Sequence, residues 1–406
     1  MSDPGRRAAP APETTAFLVV AVAAMFAQET FVTLSKAVGP VIAPAILTDL
    51  GVGPAYVGVY TGILASMGIV GSMGCGSFIV RYGPMRTSQA ALVLLSAGLV
   101  VASVGWLPLF ALAALIADNG QVISTPSSSH MLRRIAPPRQ APLAFSIAKS
   151  SVPVGLVITG FVGPWLALNL GWRGALLVTA GVCVLVALAL QPLRGRFDVD
   201  RKPDQPIRLS DVRSTLVAVI GRGRMRTLAL TCLVFNGVQS AFAAYFVIAL
   251  TDGLGLGLGA AGALFSTGMA VAVPGRIVWG WIGGRLVPAG AILVLLAAGM
   301  ALSAAAAALA TPAWSPLALG AVAAGFGATA LSWHGILLAE VAFLAPEGRA
   351  GAYTGGVLAF GQMGALLFPL VFAVALLATG SYAPAFIAIG LPALAMAVAL
   401  IWVARR

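Results

Sequence analysis

The chain has 406 residues, of which 60% are hydrophobic and 9% are charged, and it carries a net charge of +12. Ordinary soluble domains contain about 25% charged residues, so this composition excludes a typical soluble enzyme or binding module. The basic excess alone would suit a nucleic-acid partner, but the placement of the basic residues does not.

Apolar runs long enough to cross a bilayer, which needs about 20 residues, recur along the whole chain. We place spans 1 to 6 at residues 16–47, 55–79, 87–106, 109–132, 142–170 and 174–193. Spans 7 to 12 follow at residues 227–250, 260–284, 288–309, 315–344, 350–378 and 383–404. Pro40 and Pro44 are expected to bend the outer end of span 1, because proline interrupts helical hydrogen bonding. The sequence therefore predicts an all-α membrane protein with twelve transmembrane helices.

Lysines and arginines concentrate on one side of these spans. Residues 194–226 form the only long polar segment and carry nine of them. Of the 24 in the chain, all but four fall on this side. The exceptions are Arg173 on the opposite side, and Lys36, Lys149 and Arg276 inside spans. Cytoplasmic loops carry such an excess, so we expect a cytoplasmic linker at 194–226, two cytoplasmic termini and no nucleic-acid partner.

The two halves of the chain repeat one pattern. The turn after span 2 recurs after span 8, with matched residues 204 positions apart. These residues are Gly71, Gly76 and Arg81, and then Gly275, Gly280 and Arg285. Three further matches keep the same order at offsets of 203, 208 and 209: Thr48-Asp49 with Thr251-Asp252, Pro138-Arg139 with Pro346-Glu347, and Gly171 with Gly380. Such a duplication is expected of transporters that bind substrate in a central cavity between two six-helix halves, here residues 1–193 and 227–406.

With this organisation the chain resembles the major facilitator superfamily over nearly its whole length. The superfamily's turn motif is usually written G-x-L-A-D-R-x-G-R-R. It is present here as Gly76, Arg81 and Gly83 after span 2, and as Gly280 and Arg285 after span 8. The resemblance implies that these residues form the cytoplasmic gate. The motif aspartate is replaced by Val80 and Gly284, so the latch that it helps to form in the superfamily must differ here.

Arg276 and Lys149 are the leading candidates for a substrate site. With about 1.5 Å of helical rise per residue, they lie roughly 13 Å and 12 Å from the cytoplasmic edge, in spans 8 and 5. The resemblance implies that these spans face each other, so two cations at one depth would bind a carboxylate. Arg276 followed four residues later by Gly280 also resembles the oxalate–formate and monocarboxylate porters, in which this arginine binds substrate. The alternative is a gate or packing role for Arg276.

Arg276 has no counterpart in the first half, because Ser72 stands at the matching position. This asymmetry favours an anionic substrate. Pro274, two residues earlier, is expected to open the helix at that point, since proline removes a helical hydrogen bond.

Glu29 in span 1 and Asp118 in span 4 are the proton-coupling candidates. Both lie near mid-depth, and a carboxyl group held away from water can exchange a proton near neutral pH. Thr33 and Lys36 share the helix face of Glu29 through their i+4 and i+7 spacing. The alternative is that each carboxylate is neutralised by a cation or by buried hydrogen bonds and is purely structural.

Further polar side chains reach the middle of spans 1, 4, 7, 10 and 11. The resemblance implies that spans 1, 4, 7 and 10 line the cavity. We predict that seven of these polar residues contact substrate beside Arg276 and Lys149: Lys36, Asn119, Asn236, Gln239, Trp333, His334 and Gln362. The alternative for each is a hydrogen bond between helices.

Catalysis and cofactor binding find no support in the residue pattern. The three cysteines and two histidines are too scattered for a metal site, and no G-x-x-x-x-G-K-[ST] phosphate loop is present. We therefore expect no enzyme, cofactor or metal. The sequence predicts a secondary-active, proton-coupled transporter of a small organic anion, with a carboxylate, protons and lipid as partners. The alternative is a proton-driven exporter of amphipathic or cationic compounds.

The amino-acid usage also indicates a source and a location. The basic residues are three lysines against 21 arginines, and the composition is rich in alanine and glycine. This bias is typical of a GC-rich bacterium. We therefore expect a multi-pass monomer in a bacterial inner membrane.

Overall fold

A computed structural model describes residues 15–135, 147–199, 201–204, 219–221, 223–345 and 350–404, apart from some side chains within the helices. Every regular element in these ranges is helical, which confirms the prediction of an all-α protein. In lipid each backbone polar group needs an internal partner, and a helix supplies these partners within one segment.

The first half contains six long or medium helices. They are α1 (Thr15–Val41), α2 (Ala43–Leu50), α3 (Ala55–Tyr82), α4 (Pro84–Ser103), α5 (Leu107–Ile135) and α6 (Ser151–Ala189). The break between α1 and α2 falls at Ile42, between Pro40 and Pro44, where the sequence predicted a bend. Inside α6, Gly171 has φ 71° and ψ 165°, a conformation that glycine adopts most readily. This residue turns the chain between predicted spans 5 and 6.

The predicted linker begins as ordered structure. A 3₁₀ turn, Gln191–Leu193, leads into the short helix α7, Arg194–Phe197. Phe197 is fully buried, and its ring stacks on Phe17 with ring centres 4.7 Å apart. Residues 205–218 lie outside the described ranges.

In the described part of the second half there are seven helices and a π turn. They are α8 (Gly223–Ile248), the π turn (Ala249–Gly253), α9 (Leu258–Arg285), α10 (Ala289–Ala308), α11 (Pro316–Ala330), α12 (His334–Leu344), α13 (Ala350–Thr379) and α14 (Tyr382–Ala404).

Three boundaries or bends in this half differ from the prediction. Helix α8 begins at Gly223, inside the predicted linker 194–226, because arginines can lie in a helix end when their heads reach water. Helix α9 runs through Pro274 without a break, so the expected opening there is wrong. The break falls instead in span 10, where α11 ends at Ala330 and α12 begins at His334.

Nine helices in the described ranges are long and apolar enough to cross a membrane, and two shorter apolar helices accompany them, at Ala55–Ser66 and Leu107–Ala117. The longest candidate, Ile147–Phe197, contains the turn at Gly171. The protein is therefore a multi-pass membrane protein.

The halves meet where α3 packs on α13 and α6 packs on α9. We call the end of the bundle that carries Asp49, Gly171 and Asp252 the outer end, after the predicted topology. A Cβ atom on Gly160 of α6 would lie 2.8 Å from the Gly262 carbonyl oxygen of α9. Such contacts need small residues, because only they allow two membrane helices to approach this closely.

Candidate functional site

An ion pair with a buried carboxylate and a partly exposed ammonium group joins α1 to the segment that precedes α6. The Lys149 Nζ atom lies 2.7 Å from Oε1 of Glu29. Ser151 donates its hydroxyl to the other carboxylate oxygen of Glu29 at 3.0 Å, and Glu29 is 1% exposed. Both oxygens of this carboxylate therefore have partners. The structure brings a predicted proton site and a predicted substrate residue into one cluster.

Arg276 reaches the same cluster from α9. Its Nε donates to the Leu331 carbonyl oxygen at 2.9 Å, and its Nη1 donates to the Lys149 carbonyl oxygen at 3.4 Å. Both partners are uncharged, and within the described ranges Arg276 forms no ion pair with a carboxylate. A guanidinium group is always protonated and has five N–H donors. The cluster therefore holds a permanent positive charge with donors to spare.

The break in span 10 makes this arrangement possible. Residues 331–333 leave the helix, so the Leu331 carbonyl oxygen is free to accept the Arg276 bond. The Ser332 hydroxyl, also buried, donates to the Gly327 carbonyl oxygen at 2.9 Å. A serine that bonds to the backbone in this way competes with helix hydrogen bonds. This serine inside an apolar run is the signal by which sequence reasoning could have found the break.

Helix α12 starts at this break with His334. The His334 ring stacks on Trp333 with ring centres 3.8 Å apart, and it lies within electrostatic range of Arg276 and Lys149. Its Nδ1 atom is buried and has no hydrogen-bond partner. Because the first turn of a helix carries positive partial charge, the start of α12 adds to the positive character of the cluster.

Two predicted polar residues on α8 are engaged with neighbouring helices. Gln239 accepts a hydrogen bond from the Trp333 indole at 3.1 Å, so it positions the tryptophan that stacks on His334. Asn236 donates to the Gly361 carbonyl oxygen of α13 at 2.8 Å, which is a helix–helix hydrogen bond. Gln362 follows Gly361 and is partly buried.

The remaining predicted site residues are not brought to Arg276 by any described contact. Lys36 lines a separate cavity of about 10 Å³ within the first half, together with Tyr60, and that volume holds about one water molecule. The side chains of Asp118 and Asn119 lie outside the described part of α5. Within the described ranges, no group of three or more His, Cys, Asp or Glu side chains is placed to hold a metal ion.

The turn after span 2 is bound by a carboxylate from the linker. Asp198 accepts hydrogen bonds from the backbone amides of Met85 at 2.8 Å and Arg86 at 3.1 Å. Arg86 Nε also lies 3.7 Å from the same carboxylate. Gly83 has φ 95°, and a Cβ atom there would come within 2.7 Å of the Asp198 Cβ. The motif glycine therefore leaves room for this carboxylate.

Sequence reasoning missed Asp198, although the missing motif aspartate was a cue to look for another carboxylate. Burial raises the pKa of Asp198, and the hydrogen bonds from Met85 and Arg86 oppose this rise.

Of the other gate-motif residues, Arg81 contacts an aromatic ring and Gly280 faces open space. The Arg81 guanidinium lies 5.5 Å from the ring centre of Tyr82. A side chain at Gly280 would meet open space. Gly76 lies within α3, and the side chain of Arg285 falls outside the described part of the chain.

Comparison with known proteins gives one family and several structural relatives. The family model for the Major Facilitator Superfamily matches residues 17–369. No curated protein matches the chain significantly. A bacterial homolog of the human lysosomal transporter Spinster, in an inward-facing and occupied conformation, shares 18% identity at a TM-score of 0.75, over 97% of this chain and 98% of that chain.

Two further solved structures are similar to the chain over most of its length. A mutant of the nucleoside transporter NupG shares 11% identity at a TM-score of 0.76, over 94% of this chain and 99% of that chain. A POT family transporter in complex with 5-aminolevulinic acid shares 14% identity at a TM-score of 0.72, over 94% of this chain and 95% of that chain. At these identities the likeness establishes the fold alone.

Proposed function

The chain belongs to the Major Facilitator Superfamily, and from that premise we propose that it is a secondary-active transporter of a small organic anion with a carboxylate group. Two six-helix halves, residues 1–193 and 227–406, would move around a central cavity and expose it to each side of the membrane in turn. The observation that carries the proposal is the partner set of Arg276, which consists of two backbone carbonyls. Arg276 is partly buried and has no carboxylate partner among the described residues, and a charge drawn away from water is stabilised by an opposite charge.

The donors around Arg276 suit a carboxylate. Two of the five N–H groups of the guanidinium are used by the Leu331 and Lys149 carbonyls, so the others can form the two-pronged contact that arginine makes with carboxylates. The unpartnered Nδ1 of His334 adds a hydrogen-bonding group to the pocket. The start of α12 adds helix-end positive charge, which favours a bound anion.

Proton coupling follows from the ion pair of Lys149 with Glu29. An incoming carboxylate competes with Glu29 for the Lys149 ammonium group, 2.7 Å from the Glu29 oxygen. Glu29 that has lost its cation in a buried setting takes up a proton. The proton and the anion then cross together, and the ion pair reforms after release. Asp118 is a second proton-coupling candidate.

The alternative, an exporter of amphipathic or cationic compounds, would need a buried carboxylate that is free to meet a cation. Glu29 has partners at both carboxylate oxygens, which favours the anion at this residue; the side chain of Asp118, the other carboxylate of the alternative, lies outside the described part of α5. The location that we propose is a bacterial inner membrane, with a monomer whose termini are cytoplasmic.

The deciding experiment uses purified protein in two steps. A thermal-shift screen against mono- and dicarboxylates at two pH values identifies a stabilising anion, and uptake of that labelled anion into proteoliposomes is then measured. Arg276→Gln is expected to reduce uptake by more than about tenfold, since it removes a charged hydrogen-bonding group. Gly259→Ala is the control, because its new methyl group enters open space on the same helix, away from the gate motif. Undiminished uptake by Arg276→Gln would refute the anion site.

A second variant tests the coupling. Glu29→Gln keeps the shape of the side chain but cannot release a proton. We expect exchange of labelled for unlabelled anion to continue, while accumulation driven by a pH gradient is lost. If pH-driven accumulation persisted in Glu29→Gln, Glu29 would not be the proton-coupling residue.

A further inference from the structure

Asp49, Trp172 and Arg173 form a cluster at the outer end of the first half, which we call the outer clasp. The Oδ2 atom of Asp49 accepts hydrogen bonds from the Trp172 indole at 3.0 Å and from Arg173 at 2.8 Å. The guanidinium carbon of Arg173 lies 4.2 Å from the ring centre of Trp172. Trp172 is 5% exposed and belongs to the core cluster that includes Leu99 and Leu176. One indole thus fills the space between α4, α5 and α6.

The second half has a similar cluster at the matching positions, with smaller side chains beside the carboxylate. Asp252 corresponds to Asp49, and it accepts a hydrogen bond from the Tyr382 hydroxyl at 2.7 Å. Gly380 corresponds to Gly171, and both have positive φ, 65° and 71°. Ser381 therefore stands where the first half has Trp172, and Tyr382 stands where it has Arg173. The carboxylate is kept, but the indole and the cation are not.

A cavity of about 320 Å³ occupies the matching place in the second half. It lies between the end of α8 with its π turn and helices α10, α11 and α14. Its walls include Phe246, Asp252, Leu319, Ser381, Tyr382 and Phe386. Small-molecule pockets begin at about 300 Å³ and combine apolar walls with a few polar groups. This cavity has the volume, and its lining combines the apolar side chains of Phe246, Leu319 and Phe386 with the polar groups of Asp252, Ser381 and Tyr382.

We infer that this cavity is a second binding site, separate from the Arg276 cluster, for a small aromatic amine. The ring of the ligand takes the place that Trp172 fills in the first half. Its ammonium group takes the place of Arg173, opposite the Asp252 carboxylate, with which it forms a charge-assisted hydrogen bond. Phe246, Tyr382 and Phe386 offer ring faces and edges to the ligand ring.

The walls suit an aryl ammonium better than a purely apolar occupant. Asp252 is exposed, so with a lipid chain in the cavity its carboxylate would keep water and the neutral donor Tyr382 but gain no cation. An aryl ammonium adds a cation to that carboxylate and an apolar ring to the walls at once.

The test uses tryptamine as the probe, with full-length protein both in detergent and in lipid nanodiscs. Equilibrium dialysis measures binding, and 3-ethylindole serves as the matched ligand without the ammonium group. Wild-type protein is expected to bind tryptamine about tenfold more tightly than 3-ethylindole. Asp252→Asn is expected to remove that preference.

Ser381→Trp restores the first-half residue and fills the cavity. It is expected to abolish tryptamine binding while anion uptake continues, and Ser381→Ala is the control that keeps the space open. Val322→Phe fills the cavity from α11 and decides the question if Ser381→Trp does not fold. Equal tryptamine binding by the filled variants, or binding in detergent that disappears in nanodiscs because lipid holds the cavity, overturns the inference.

Discussion

The two halves of the chain differ in how their described charged residues are paired. In the first half, the carboxylates of Glu29, Asp49 and Asp198 each face a lysine or arginine. In the second half, Arg276 faces backbone carbonyls and Asp252 faces a tyrosine hydroxyl. Among the described residues, the first half pairs these carboxylates with cations, which stabilises the fold. The charges of Arg276 and Asp252 have no such partner, and they are the two places where we propose that ligands bind.

The largest expected change in stability comes from removing the cation of the Glu29–Lys149 ion pair. Lys149→Met leaves Glu29 buried without its partner, and such a loss costs about 3–5 kcal/mol. We expect the lower end of that range, because the Lys149 side chain is 33% exposed and water partly compensates. A lowered melting temperature in detergent measures the effect.

The matched control is the double variant Glu29→Gln with Lys149→Met, which removes both charges. Its melting temperature is expected to return most of the way to the wild-type value. A double variant as unstable as Lys149→Met alone would show that packing, and not charge pairing, stabilises the first half. Arg276→Met is the comparison in the second half, and it should cost less stability because no carboxylate loses a partner.

A smaller effect is expected at the turn after span 2. Asp198→Ala leaves the amides of Met85 and Arg86 at the start of α4 without their carboxylate, and loss of such a cap costs about 0.5–2 kcal/mol. Asp198→Asn keeps an acceptor and should recover most of the melting temperature. Equal destabilisation by both variants would assign the effect to the ion pair with Arg86 instead of the cap.

The smallest effect concerns the outer clasp of the first half. Hydrogen bonds from Trp172 and then Arg173 hold the pKa of Asp49 below its usual range. A carboxyl whose pKa is lower in the folded state stabilises the fold above its unfolded pKa of about 3.9, and this stabilisation is lost as the pH falls through the folded pKa.

We therefore expect the melting temperature to fall more steeply below about pH 4 in wild type than in Asp49→Asn. Parallel curves for the two proteins would contradict the assignment.

The sequence predicted much of the fold because its signals are local. Apolar runs located the helices, and Gly171 and the pair Pro40 and Pro44 located a turn and a bend. The sequence predicted the helix break of the second half at the wrong place. Helix α9 continues through Pro274. The break lies at Ser332, which bonds to the backbone where no proline is present. Membrane helices absorb a proline when neighbouring groups satisfy the freed carbonyl.

The sequence pointed to the charged residues of the candidate site, but it did not show which of them form an ion pair. Arg276, Lys149 and Glu29 were recognisable as charges in apolar runs, and whether they touch substrate remains a prediction. That Lys149 pairs with Glu29 depends on the packing of α1 against α6, which spacing within a single helix does not reveal. Asp198 was missed for the same reason, since it contacts a turn 113 residues away.

The contact of Asp198 with Met85 has a consequence for how the protein is made. The start of α4 is completed by a residue translated only after the rest of the first half, 113 positions later. During synthesis the turn between α3 and α4 therefore lacks this carboxylate until the chain beyond the sixth predicted span has been made. A split or fusion protein should therefore divide the chain after Asp198. A cut at the end of span 6 would remove Asp198, and with it the contact that completes the start of α4.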